Sequence, residues 1–156
     1  MKLLRVALAQ INSTVGDLAG NSKRISHYIK KARGHGADII AFPELALTGY
    51  PPEDLILKPQ FISDNVNELK KIAVRTTGIT VITGFVDAEK NSLYNAAAVI
   101  ADGRIADIYH KIFLPNYGVF DEHRYFKAGK RFPVYHIAGA KIGINICEDI
   151  WHREGP

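Results

Sequence analysis

The first 86 residues alternate short, dense apolar runs with longer amphipathic stretches, and this alternation limits the possible folds more than any other feature. One apolar run covers residues 3–11, a second covers 37–42 and ends at Pro43, and a third covers 79–86. Runs of this length and density are typical of strands that are buried in a sheet. The pattern therefore predicts a buried strand at each of these three positions.

The amphipathic stretches between these runs predict two helices. Asn21 is the predicted N-cap of the first helix, and Gly34 and Gly36 are its predicted stop. The second helix repeats its apolar residues at spacings of four, three and four, which keeps them on one helical face. The residues that define the two faces are Ile25, Ile29 and Ala32 in the first helix, and Ile62, Val66, Leu69 and Ala73 in the second.

The second half of the chain has the pattern of strands that are linked by hairpins. Residues 93–100 and 104–112 are joined by Asp102–Gly103, a strong two-residue hairpin signal. A polar and aromatic loop follows, and two further strands are predicted at 133–137 and 141–147. This order of elements predicts an α/β layered fold with a mixed sheet, in one domain over residues 1–156.

The composition excludes several classes of partner. One cysteine cannot form an internal disulfide, which favours a reducing, cytoplasmic setting. No apolar stretch approaches the roughly 20 residues that cross a bilayer, so no membrane partner is expected. The formal charge of +4 comes from scattered basic pairs such as Lys30–Lys31 and Lys70–Lys71. Such pairs are typical of solvated helix faces, so no nucleic-acid partner is predicted.

Three chemically suggestive residues, Glu44, Lys111 and Cys147, each lie at or just past the end of a predicted strand. Ligands of open α/β sheets bind outside the strand ends, where the loops converge. If the three strands run in the same direction, a carboxylate, an ammonium and a thiol meet at one edge of the sheet. One antiparallel strand among the three would break this arrangement.

Together the three groups can carry out nucleophilic attack on a carbonyl. A thiol attacks as its thiolate, so it needs a base and positive charge nearby. Glu44 is the candidate base, which takes the thiol proton and later activates water against a thioester. Lys111 is the candidate group that lowers the thiol pKa and stabilises the oxyanion, with the backbone N–H of Glu148 as a second donor.

Spacing alone is equally compatible with structural roles for these residues. A lone cysteine is most often a small buried hydrophobic residue, and Lys111 could extend from a sheet edge. Glu44 could cap a turn, and Glu148 and Asp149 could be the first residues of a helix. The six histidines have no zinc-like spacing, so the sequence predicts no metal site.

Three longer stretches carry a resemblance that favours the catalytic interpretation. They read AFPELALTGYPPEDLIL (41–57), HKIFLPNYGVFDEHRYFKAG (110–129) and GINICEDIW (143–151). The chain closely resembles the carbon–nitrogen hydrolase (nitrilase) superfamily, and within it the N-terminal glutaminase domains of glutamine-dependent NAD synthetases. GYPPEDL and LPNYGVFDE are specific to that branch. The resemblance implies a nitrilase-like α-β-β-α sandwich with mixed sheets.

The resemblance also implies roles for individual residues. Glu44 would be the general base, Lys111 the oxyanion-stabilising lysine and Cys147 the nucleophile. The implied reaction hydrolyses glutamine to glutamate and ammonia, and the ammonia would pass to a synthetase domain that makes NAD from nicotinic acid adenine dinucleotide. The residues implied to bind or position the substrate are Tyr117, Phe120, Glu122 and Glu148.

The hydrolase domain of this family continues well beyond its cysteine, so the resemblance implies that residues 1–156 hold only the N-terminal portion of that domain. The synthetase domain, which uses ATP and Mg²⁺, has no counterpart in this sequence, and the glutaminase part needs no cofactor. Hydrolases of the family commonly assemble through their helical layers, so a homo-oligomer is expected. Two alternatives stay open, namely a stand-alone amidase or nitrilase and a non-catalytic fragment of the hydrolase domain.

Overall fold

The computed structural model describes residues 3–153 and 155, and its main element is a five-stranded mixed sheet. The first three strands are parallel to one another, and antiparallel pairing adds the last two. In order across the sheet, they are β1 (Val6–Leu8), β2 (Ile39–Ala41), β3 (Thr80–Glu89), β4 (Ser92–Ala101) and β5 (Arg104–His110). The α/β fold with a mixed sheet is therefore confirmed.

A separate antiparallel hairpin, β6 (Val134–Ile137) with β7 (Ala140–Gly143), follows the large sheet in the chain. Both helices predicted from the apolar periodicity are present, as α1 (Leu18–Gly34) and α2 (Pro59–Val74). None of the helices in the described part of the chain is long and apolar enough to cross a bilayer.

The two faces of the large sheet have different roles. Residues that lie opposite each other in antiparallel strands share a face, and residues along a strand alternate between faces. One face, which includes Phe85 and Ala96, forms the main core with buried residues of the helices such as Ile25 and Leu69. The other face carries Ala97 and packs with residues that come after the β6–β7 hairpin. This second face receives the loops that bear the candidate site.

The prediction that Asn21 caps the first helix is wrong. Helix α1 begins at Leu18, and the side chain of Asp17 caps it by accepting a hydrogen bond from the backbone N–H of Gly20 at 2.9 Å. Asn21 is fully buried, and its side-chain amide donates to the carbonyl of Leu47 at 3.0 Å. Its polar side chain therefore holds the loop after β2 against the helix instead of capping the helix.

The predicted strands at 3–11 and 141–147 are shorter in the structure. β1 lies at an edge of the sheet and pairs only with β2, over three residues. β7 ends at Gly143, and the backbone N–H of Ile146 then donates to the side chain of Asp149 at 3.0 Å instead of to a neighbouring strand. Cys147 therefore begins a 3₁₀ turn, Cys147–Trp151, and does not end a strand.

Gly84, in the middle of β3, is required by the loop that bears Glu44. A Cβ atom at this position would lie 2.2 Å from the backbone nitrogen of Leu45 and 2.5 Å from the carbonyl oxygen of Pro43. The loop stays against the strand because the N–H of Leu47 donates to the carbonyl of Gly84 at 3.1 Å. The absence of a side chain on β3 thus lets the backbone beside Glu44 lie directly on the sheet.

Gly84→Ala should therefore destabilise the fold by about 1–3 kcal/mol, because the backbone of the Glu44 loop has to move away from the sheet. The free energy of unfolding, measured by urea denaturation, tests this expectation. Gly143→Ala is the matched control, since a Cβ there meets nothing within 4 Å. Equal stability of the two variants would contradict the packing argument.

Candidate active site

The topology of the large sheet brings Glu44 and Lys111 to the same edge. β4 is antiparallel to β3, and β5 is antiparallel to β4, so β5 runs in the same direction as β2 and β3. Glu44 follows β2 and Lys111 follows β5, so both residues leave the sheet at its carboxyl edge. The strands before Glu44 and Lys111 therefore run in the same direction, as the prediction of a common edge required. Cys147 instead reaches the site from the separate β6–β7 hairpin.

Lys111 lies at the centre of a buried group of charged side chains. Its relative exposure is only 1%, and its Nζ donates to Glu44 Oε1 at 2.7 Å and to Glu122 Oε1 at 3.1 Å. The backbone is also fixed, because the N–H of Lys111 donates to the carbonyl of Asn95 at 2.9 Å and its carbonyl accepts from Gly129 at 2.8 Å. One ammonium is thus held in place between two carboxylates.

Two further side chains join this group. The Nδ2 of Asn95 lies 2.6 Å from Glu44 Oε1 and 3.4 Å from Glu122 Oε2, so it bridges the two carboxylates. The hydroxyl of Tyr50 donates to Glu122 Oε1 at 3.1 Å. Sequence reasoning missed both residues. Asn95 did give a signal, because it is a polar residue directly before the apolar run AAAVI of β4.

The electrostatics of the group follow from its burial and from the balance of its charges. Burial lowers the pKa of Lys111, but the carboxylates of Glu44 and Glu122 outweigh it, so the pKa is raised and the ammonium keeps its proton. Burial raises the pKa of Glu122, and the nearby Glu44 carboxylate adds to this effect while Lys111 opposes it. The net result is a raised pKa for Glu122, as expected where two carboxylates share one cation.

Cys147 is exposed and lies on a sharp turn next to this group. Its backbone φ of 47° falls in the left-handed region, which is uncommon for a residue other than glycine. A cavity of about 250 Å³ is lined by Cys147 and Glu44, with Phe42 and Ile146 among its apolar walls. The turn therefore places Cys147 beside a space that the candidate base also borders.

The pKa of the Cys147 thiol is raised overall, although Lys111 lowers it as expected. Cys147 is exposed as a residue, but the protein around its sulfur removes part of the hydration of the thiolate, and this desolvation is the largest cause. The negative charges of Glu44 and Glu122 add to it. Lys111 and a hydrogen bond from the backbone of Glu148 act in the opposite direction, but they do not compensate for the other causes. The resting thiol is therefore protonated near neutral pH, and attack on a carbonyl requires a base.

The residues predicted to contact the substrate lie around this thiol in two groups. The hydroxyl of Tyr117 donates to Glu148 Oε2 at 2.9 Å, and the ring of Tyr117 lies edge-on to that of Phe120 at 5.7 Å between centroids. The rings of Phe120 and Tyr50 also lie next to each other, with 6.5 Å between their centroids. Glu122 lies on the buried side, against Lys111, and is linked to this aromatic cluster through the hydroxyl of Tyr50.

One group of potential metal ligands occurs in the described part of the chain, outside this site. The ligand atoms of Asp87, Glu89 and His110 lie within 4.8 Å of one another. His110 Nε2 is already paired with Asp87 Oδ2 at 2.7 Å, and its ring stacks on Tyr94 at 4.0 Å. By strand alternation, His110 and Lys111 point to opposite faces of the sheet, so this cluster is separate from the candidate active site.

Comparison with known proteins identifies the family to which this chain belongs. The sequence profile described as carbon-nitrogen hydrolase matches residues 5–156. The chain therefore belongs to the carbon–nitrogen hydrolase family, and its fold is nitrilase-like, as the resemblance implied.

Relatives within that family are more specific. The chain is 51% identical over its whole length to a glutamine-dependent NAD(+) synthetase of Thermotoga maritima, of which it covers 27%. It is similar to the structure of glutamine-dependent NAD+ synthetase from Acinetobacter baumannii in complex with ADP, with a TM-score of 0.92, 39% identity and coverage of 97% of this chain and 29% of that one. The chain thus spans between a quarter and a third of the length of these relatives.

A solved amidase shows the same fold at lower identity. It is a variant of the amidase from Nesterenkonia sp. AN1 with the acetamide moiety of fluoroacetamide covalently added at its active-site cysteine. The TM-score is 0.80 with 25% identity, and the match covers 94% of this chain and 56% of the amidase.

Lys111→Met should destabilise the protein by about 3 kcal/mol at neutral pH, because it leaves the buried Glu122 and the half-buried Glu44 without their cation. The loss should be larger at pH 8 than at pH 5. The pKa of Glu122 is raised in the folded protein, so the contribution of Glu122 to the free energy of unfolding falls as the pH rises through that pKa. Removing the ammonium of Lys111 raises the pKa of Glu122 further, so the variant loses more stability at the higher pH. Urea denaturation at both pH values measures the effect.

Lys71→Met is the matched control for this substitution, since the Lys71 ammonium contacts Glu68 at 2.6 Å on the surface. Its effect should stay within about 0.5 kcal/mol at either pH. A Lys111→Met protein as stable as this control would show that the buried charges do not depend on Lys111.

Glu44→Gln should lower the pH midpoint of Cys147 alkylation by iodoacetamide, because it removes a negative charge that raises the thiol pKa. In the wild-type protein, this midpoint should lie above the value of an unhindered thiol. Alkylation rates measured against pH by intact mass test both statements. Glu89→Gln, at an exposed carboxylate, is the control, and an unchanged midpoint in Glu44→Gln would refute the argument.

Proposed function

We propose that this chain forms the thiol-bearing part of a glutaminase, in which Cys147 attacks the side-chain amide of glutamine. The observation that carries the proposal is the buried Glu44–Lys111–Glu122 group beside an exposed cysteine on a left-handed turn. A lone structural cysteine needs neither a carboxylate nor a buried ammonium at its side. The relatives named as glutamine-dependent NAD(+) synthetases support glutamine as the substrate.

The first half of the reaction forms a thioester. Glu44 takes the proton of the Cys147 thiol as the sulfur attacks the amide carbon, and the carbonyl oxygen becomes an oxyanion. Lys111 uses two of its three N–H donors on carboxylates of the described residues, so a third can be directed at that oxygen. Glu44 then gives its proton to the nitrogen, the carbon–nitrogen bond breaks, and ammonia leaves.

The second half of the reaction returns the thiol. Glu44, again a carboxylate, removes a proton from a water molecule that attacks the thioester carbon. The carbon–sulfur bond then breaks, the Cys147 sulfur regains the proton from Glu44, and glutamate is released. Every proton transfer uses side chains of the chain itself, so this reaction requires no cofactor.

Tyr117, Phe120 and Glu148 are the residues that we assign to substrate recognition. Two aromatic rings in edge-on contact form an apolar wall of the kind that packs against the methylene groups of a glutamine side chain. The carboxylate of Glu148, next to the nucleophile and bonded to Tyr117, supplies negative charge for a polar or cationic part of the substrate. Glu122 positions Lys111 from the buried side.

Within a longer protein, this glutaminase portion would supply ammonia to a synthetase domain that uses ATP and Mg²⁺ to make NAD. This part of the proposal depends on the relatives alone, because the chain spans only 27% to 29% of their length. Residues 1–156 would then form the N-terminal portion of the hydrolase domain, in a cytoplasmic homo-oligomer.

A stand-alone amidase is the second candidate function. The amidase from Nesterenkonia sp. AN1 shares the fold at a TM-score of 0.80, and its active-site cysteine carries an acetamide group from a small amide electrophile. The two candidates differ in whether the site recognises the amino-acid end of glutamine. Their relative reactivity toward small and glutamine-like electrophiles separates them.

A diazo-ketone analogue of glutamine should label Cys147, and glutamine should protect against labelling. We expect the analogue to react about tenfold faster or more than the same diazo ketone without the amino-acid group, because the pocket holds the reactive carbon next to the sulfur. Intact mass and peptide mapping identify the labelled residue. Cys147→Ala should show no added mass.

Fluoroacetamide provides the comparison for the amidase alternative. Faster labelling by fluoroacetamide than by the glutamine analogue would favour a small-amide amidase. If the glutamine analogue reacts no faster than the plain diazo ketone, the chain has no glutamine pocket and the proposed function fails.

A further inference from the structure

The carboxylate of Asp149 is fully buried and receives four hydrogen bonds from the described part of the chain. Its Oδ1 accepts from the backbone N–H groups of Ile112 at 3.0 Å and Phe113 at 2.9 Å. Its Oδ2 accepts from the backbone N–H of Ile146 at 3.0 Å and from the hydroxyl of Tyr109 at 2.6 Å. The two carboxylate oxygens thus accept hydrogen bonds from two different segments of the chain, 109–113 and the segment at Ile146.

These two segments carry the candidate lysine and the candidate nucleophile. Ile112 and Phe113 directly follow Lys111 as the chain leaves β5, and Ile146 directly precedes Cys147. The segments come from different sheets, since β5 belongs to the large sheet and β7 to the separate hairpin. Pairing between strands therefore does not set the distance between Lys111 and Cys147.

We infer that Asp149 is a positioning residue that fixes the turn of Cys147 relative to Lys111. It is fully buried, does not line the cavity beside Cys147, and acts through the backbone next to the two groups. The role in catalysis depends on the proposed function, whereas the geometric role does not. A merely structural aspartate would stabilise the fold without setting the environment of the thiol.

The substitution Asp149→Asn tests this role with little change of shape. An asparagine has one acceptor oxygen, which can keep the bonds from Ile112 and Phe113. Its NH₂ group can donate to the hydroxyl of Tyr109, which is able to accept, but it cannot accept from the N–H of Ile146. The variant should therefore release the Cys147 side of the link while it keeps the Lys111 side.

Alkylation of Cys147 by iodoacetamide against pH is the principal measurement. In the wild-type protein, burial and the carboxylates of Glu44 and Glu122 raise the thiol pKa, against the opposing effects of Lys111 and Glu148. Release of the turn should hydrate the thiol further and move it away from these groups, so the midpoint in Asp149→Asn should fall toward that of a free thiol. Selectivity for the glutamine diazo ketone over its plain counterpart should fall about tenfold.

Tyr109→Phe is a second variant that removes one of the four donors without a change of charge. It should shift the midpoint in the same direction by a smaller amount, which separates a loss of positioning from the loss of a negative charge. It also decides the question if Asp149→Asn does not fold. Thr76→Val is the structural control, because Thr76 is buried and bonded to Ile72, beside the Asp102–Gly103 turn at the opposite end of the sheet.

The inference holds if both site variants lower the midpoint while Thr76→Val leaves it unchanged. It is overturned if folded Asp149→Asn keeps the wild-type midpoint, or if only Tyr109→Phe folds and its midpoint is unchanged. Failure of the wild-type protein to prefer the glutamine analogue would count against the proposed function alone. The alkylation midpoints do not involve glutamine and would still test the role of Asp149.

Discussion

The buried ammonium of Lys111 is the group on which the rest of the site depends. Two carboxylates that lie close together in a region of low dielectric repel each other and lose hydration, so each needs a compensating partner. Lys111 compensates Glu44 and Glu122 at once, and Asn95 and Tyr50 add hydrogen bonds that spread the remaining negative charge. The geometry of the candidate base is therefore a consequence of where the lysine lies.

The position of the lysine is in turn a consequence of the sheet. Two antiparallel pairings return β5 to the direction of β2, and this brings a residue after each strand to the same edge. Gly84 lets the loop after β2 lie flat on β3, which places Glu44 over the face that Lys111 occupies. Backbone bonds to Asn95 and Gly129 then fix Lys111 from both sides. The two antiparallel pairings of β4 are thus what brings the chain back to the edge of the sheet where Glu44 lies.

The sequence predicts the elements well because apolar periodicity reports directly on burial, as the helix faces at Ile25 and Leu69 show. It predicts Glu44 and Lys111 as neighbours because strand ends are visible in the sequence. It does not identify the polar contacts that depend on tertiary structure. Asn21 has the residue type of an N-cap but bonds to Leu47, and Asp149 has the residue type of a helix start but links two distant segments. Such roles depend on partners as far as 26 to 40 residues away in the chain.

The raised pKa of Cys147 and the proposed role of Lys111 agree once the charge on Glu44 is followed through the reaction. In the resting site, two carboxylates use the field of Lys111, so it stabilises a thiolate only weakly. In the proposed reaction, Glu44 becomes neutral when it takes the thiol proton, so one of the two anions that held the ammonium disappears. At that moment, the oxyanion forms on the substrate. The positive charge of Lys111 then acts on the oxyanion, so proton transfer to Glu44 and stabilisation of the intermediate occur together. This coupling requires a thiol that stays protonated in the resting site.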